Sequence, residues 1–143
     1  LNNIIDHFKN GDKKKKEAHF GKPMAFAFSK IDAILDHSED LAETAIPGMT
    51  LDQNSVFLDG GGVRMDDIDA VSDGLRAALK SWYEDGFVNN AENNYKNLKY
   101  FGFSALGKNP GNDNHIEGIK PYRVLDPLIW ILDQFKYPLL KLK

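Results

Sequence analysis

The stretch from residue 66 to residue 86 constrains this chain more than any other. Its apolar residues Ile68, Val71, Leu75, Ala78, Leu79 and Trp82 recur three and four apart, which draws one stripe down a helix of 3.6-residue period. Asp66 can cap the first turn by accepting a backbone N–H, and Asp67 and Asp69 follow at the positive end of the helix dipole. Gly86 supplies a residue able to turn left-handed and close the last turn. A helix with a single apolar stripe must lay that stripe on something. Other segments therefore have to cover it.

Those segments come from a chain of 143 residues, one domain by size and long enough for a single core. Apolar residues make up 42% and charged ones 27%, values that exclude an intrinsically disordered chain. The longest uninterrupted apolar run, 127–132, is far too short to span a bilayer. With no cysteine, disulfides, Cys-based zinc sites and thiol nucleophiles are excluded and the redox compartment is left open. Beginning at Leu1 without a basic-then-apolar leader, the chain reads as a mature or trimmed product, and its compartment is not assigned.

Charge is unevenly spread. Residues 1–22 carry six Lys against three acids, and 86–143 carry eight bases against five acids. Between them, 31–85 carry three bases against thirteen acids, a difference of −10. Nucleic acid calls for a contiguous positive footprint, so it is not expected as a partner. Either the basic ends fold over the middle, or an acidic face meets a basic partner and speeds the encounter. Lys13 to Lys16 point in all directions around a helix and read as a solvated surface.

Helical spacing recurs along the chain. From Pro23, the residues Met24, Ala27, Phe28, Ile31, Ile34 and Leu35, then Leu41, Ala42 and Ala45, predict a helix over 23–45 ended by Pro47-Gly48. Phe26 lies across the wheel from that stripe. In 90–106, Ala91, Tyr95, Leu98, Phe101 and Ala105 predict a further helix, with Tyr100 and Phe103 off the stripe and Gly107 ending it. Asp126 followed by Pro127 predicts a cap and a first-turn proline for a helix over 126–137, stopped by Pro138. Leu128, Ile131, Leu132 and Phe135 form its stripe, while Ile129 and Trp130 face elsewhere. Residues 47–65 read either as a small β-hairpin near 55–65, turned by Gly60-Gly61-Gly62, or as a long loop, and 107–120 read as a loop. The fold class expected is mainly α: a single four-helix bundle-like domain with a long first crossover.

Motifs for chemistry are sparse. His7, His19, His37 and His115 never pair at helical spacing, no HExxH or Glu-x-x-His is present, and no metal or cofactor is expected. Asp66, Asp69 and Asp73 share a helix face. A calcium loop counted from Asp52, however, would place Phe57 and Val63 where Gly and Glu are required. The three glycines lead into Val63-Arg64-Met65 rather than the Lys-Ser/Thr of a phosphate loop. No serine lies in a nucleophile elbow, and no catalytic residue is assigned.

Aromatic surface exceeds what one stripe per helix requires, and Tyr and Trp anchor interfaces. The expected function is a non-enzymatic helical interaction module, an accessory subunit docking on a larger protein assembly through Phe26, Tyr100, Phe103, Ile129, Trp130, Leu139 and Leu140. Peripheral membrane contact stays open. Two other classes stand beside it: a carrier of an apolar small molecule or pigment inside the bundle, and a small enzyme with a composite site of His19, His37 or His115 with Asp side chains.

Overall fold

The computed structural model describes residues 21–35, 64–82, 86–108 and 118–137, and the fold below is that of these residues. It is a mixed α/β arrangement and not the helical bundle expected from the sequence. In order it runs β1 (Met24–Ser29), α1 (Asp32–Leu35), α2 (Met65–Trp82), α3 (Gly86–Asn94), β2 (Leu98–Phe103) and α4 (Asp126–Gln134). The two strands pair in parallel, Met24 opposite Leu98 through Ser29 opposite Phe103. A parallel pair needs a crossover, and α1 to α3 lie within the chain that makes it.

Two predicted helices are overturned, for one physical reason. In MAFAFS the larger residues Met24, Phe26 and Phe28 alternate with Ala25 and Ala27, a period of two that puts the larger ones on one face of a strand. Phe26 falls off a helical stripe because the segment is extended. Of the helix expected over 23–45, Met24–Ser29 is strand and Asp32–Leu35 is helical, and residues 36–63, with most of the candidate hairpin, lie outside the described residues. In LKYFGF both parities carry rings. Leu98 and Tyr100 pack into one apolar cluster and Phe101 into another, so the strand is covered on both faces. The helix predicted over 90–106 is therefore the end of α3 followed by β2.

The central helix stands as Met65–Trp82. Val71, Leu75, Ala78 and Leu79 pack with Phe26, Phe28, Leu98 and Tyr100, and Phe87 and Val88 of α3 join the same cluster. Gly86 opens α3 and does not close α2. On the second side Ile68, Phe101, Ile129 and Trp130 form a smaller cluster with Ala25 against it. The Trp130 ring lies 5.7 Å from that of Phe101.

One backbone donor of β2 is taken up from outside the sheet. Ser72 Oγ on α2 accepts the Tyr100 N–H of β2 at 3.0 Å, so this buried donor is satisfied by a helix side chain. Beyond β2 the chain doubles back: Ser104 and Tyr122 exchange backbone hydrogen bonds of 3.0 and 2.8 Å, and Lys120 N–H donates to Leu106 O at 3.1 Å. Gly107 turns with φ of +77°, and a Cβ there would stand 1.8 Å from the Lys120 carbonyl oxygen. Only glycine fits that position.

The last helix starts differently from its sequence prediction. Asp126 is the first helical residue, Leu125 is the N-cap, and no side chain caps the turn. The Asp126 carboxylate instead accepts from Arg123. At the far end Lys136 is left-handed (φ 52°), its N–H donating to Asp133 O and that of Tyr137 to Leu132 O. This paired closure is a Schellman motif, normally built on glycine. No helix among the described residues is long and apolar enough to cross a membrane.

Candidate functional site

Parallel strands in open α/β folds end at the edge where ligands are generally held, because side chains and loops converge beyond their carboxyl ends. Here β1 and β2 end side by side, Ser29 opposite Phe103. Past Ser29 the backbone bends at Lys30, which is left-handed (φ 59°) and exposed. A non-glycine residue in that region carries strain of about 1–3 kcal/mol. Ile31 is wholly buried and its N–H donates to the Phe103 carbonyl at 3.2 Å, keeping this turn against the end of β2.

Asp32 follows. It is 4% exposed, and its Oδ1 makes no hydrogen bond among the described residues. Leaving a buried acceptor unmatched costs about 1–3 kcal/mol, more when it is charged. Such a group in a native fold calls for an explanation, with strain, a functional role, an ordered water or an ion among the usual ones. From the end of β2, where Phe103 O accepts the Ile31 N–H, comes the run Ser104-Ala105-Leu106-Gly107, tightened by the Gly107 N–H donating to Ser104 Oγ at 2.8 Å. Ligands approach such ends against backbone groups and short side chains, and this run offers both.

A second polar cluster flanks the end of β2. Arg123 is left-handed (φ 48°) and buried. Its Nη1 donates to Asp126 Oδ2 at 2.6 Å and its Nη2 to Asp67 Oδ2 at 2.8 Å. Burial opposes the charge on Arg123, yet the carboxylates of Asp126 and Asp67 outweigh it and hold the guanidinium above its usual range. The cluster ties the start of α2 to the start of α4. Arg123 stands between two carboxylates of opposite charge, so the cluster reads as a clamp.

The residues proposed for docking are distributed differently from the expectation. Tyr100, Ile129 and Trp130 are buried. Phe26 is half-buried, with its ring 5.9 Å from Tyr100, 5.6 Å from Phe87 and 6.0 Å from Tyr95. Phe103 is half-buried at the end of β2. Leu139 and Leu140 lie outside the described residues, as do all four histidines, and with them the composite His/Asp site. Among the acids of α2, Asp66 pairs with Arg64 and Asp69 with Lys99. No group of three or more His, Asp or Glu among the described residues is arranged to hold a metal ion.

Asp32 and Arg123 escaped sequence reading. Asp32 stands in a segment read as helix and Arg123 between a loop and a helix, where a single charged residue carries no signal. The clue to Asp32 is the alternation of 24–29, which makes it the first acid beyond a strand. No family model matches this chain, and no curated protein or solved structure matches it closely enough to assign a relative.

Proposed function

We propose that this chain is a small-molecule-binding α/β domain whose ligand seats at the carboxyl ends of β1 and β2. The observation that carries the reading is the buried Asp32 Oδ1, left without a partner at the edge where parallel strands hold ligands. A carboxylate only accepts, so the ligand presents N–H or O–H donors to it. Lys30 adds a cation and an apolar stem beside that point. Ring N–H groups or sugar hydroxyls together with an anionic group describe a nucleotide. An apolar ligand in a bundle interior does not suit a site built on a carboxylate. Calorimetric titration with GDP, ADP, UDP and CDP tests this. Saturable heat with one of them, lost in the isosteric Asp32→Asn variant, supports the reading; no heat with any, or equal heat from the variant, overturns it.

A second reading retains the docking role on a different face. On α4 and its borders Val124, Leu128, Phe135 and Tyr137 are exposed, Leu128 at 55% and Phe135 at 67%. Val124, Leu128 and Phe135 recur at helical spacing. Exposed Lys120 and Lys136 stand in the same stretch. The occupant matched to this face is a protein groove with apolar floor and acidic rim, which makes the chain an accessory subunit of a larger assembly. Nucleic acid does not suit it, since the centre is apolar. A photo-crosslinker at Leu128 should give a protein adduct that Lys120→Glu/Lys136→Glu abolishes. An adduct formed equally from exposed Ala77, a crosslinked second copy, or flotation with anionic vesicles in place of an adduct would each dismiss the docking role.

A further inference from the structure

Away from the strand ends, α2, α3 and β2 enclose an open cleft of about 480 Å³, within the size range of small-ligand sites. Its charged lining is largely self-matched. Arg76 donates to Glu92 through Nε and, at 2.8 Å, through Nη2, and Lys99 Nζ lies 2.6 Å from Asp69. Two lining ions make no hydrogen bond or ion pair among the described residues, one of each sign: Asp73, whose charge acts on Arg76, and Lys96. The third group is the Tyr100 hydroxyl. Tyr100 lines the cleft, its residue is 2% exposed, and its oxygen has no hydrogen-bond partner among the described residues.

We infer that this cleft takes a small dipolar molecule bearing an amine and a carboxylate, as a free amino acid does. A simple anion would meet Asp73 and a simple cation would meet Lys96. A dipolar ligand matches both. The Tyr100 hydroxyl, whose proton has no acceptor, fixes the carboxylate end. Burial, and after it the Glu92 charge, push that hydroxyl up to about 12, so it is a donor at every ordinary pH. Leaving it unmatched is costly in the same sense as for Asp32, and a carboxylate oxygen relieves the cost.

This site is independent of the strand-end site, and the two are read by different residues. The test is amide NMR of the full chain titrated with a panel of free amino acids, with acetate and methylamine as single-charge probes. At least one amino acid should shift the amides of Asp73, Arg76, Lys96 and Tyr100 saturably while the amides of 29–32 stay still. Lys96→Gln, an exposed change that leaves the core untouched, and Tyr100→Phe, which keeps the ring packing, should each weaken that amino acid about tenfold. No saturable shift with any amino acid, acetate binding as tightly as the best amino acid, or unchanged affinity in both variants would overturn the assignment.

Discussion

Gly107 stands where the chain turns back from β2, and its α-hydrogen is all that fits against the Lys120 carbonyl. Gly107→Ala should cost at least about 1–3 kcal/mol and detach the pairing of Leu106 with Lys120, read as a lower urea midpoint with faster exchange of the Lys120 amide. Arg123 makes a comparable demand through charge. Arg123→Met leaves the Asp126 carboxylate buried without its cation, and about 3–5 kcal/mol of stability should go with it. Loss below about 1 kcal/mol on chemical unfolding would mean the clamp is not formed. The Arg76–Glu92 pair gives a pH signature. Donation by Arg76 holds the Glu92 carboxyl below its ordinary 4.5. A depressed folded value contributes stability that is complete above that pH and is lost as acid carries the solution down through the folded value. Arg76→Gln should lower stability at neutral pH and leave it nearly unchanged below the folded value, which flattens the acid side of the profile.

At the scale of elements, α2 was legible because its spacing, its acidic first turn and its length agree, and one apolar stripe admits no other folding. The strands were not, because six residues are too few for periodicity to decide. MAFAFS carries Met24 and Phe28 four apart as well as Met24, Phe26 and Phe28 two apart. On the helical spacing Phe26 falls off the stripe. Tyr100 and Phe103 fall off theirs in the same way, since a strand buried on both faces has rings at both parities. The surplus of aromatic surface inferred from the sequence was in part this misassigned period. How α2 closes the free edge of β2 can be tested through Ser72. Ser72→Ala removes the acceptor of the buried Tyr100 N–H, and about 1–3 kcal/mol should be lost in urea unfolding. An unchanged midpoint would place α2 elsewhere.

For the whole molecule, topology gives the site its position and sequence order conceals it. Asp32 and Ser104 are separated by a long crossover, yet parallel pairing of β1 with β2 delivers both to one edge. No local motif announces such a juxtaposition, which exists only once the register is known. Tyr100, Phe101, Tyr122 and Trp130 belong to the two clusters packed about the strands, and four exposed apolar residues, Val124, Leu128, Phe135 and Tyr137, lie on α4 and its borders. The central claim is that ligand is received at the carboxyl ends of the strand pair by the unmatched carboxylate of Asp32. Amide NMR of the full chain during titration with GDP, ADP, UDP and CDP tests it most directly. Saturable shifts confined to 29–32 and 104–107, absent in Asp32→Asn, are the predicted result. Silence at those amides with every nucleotide, or the same shifts in the variant, would contradict it.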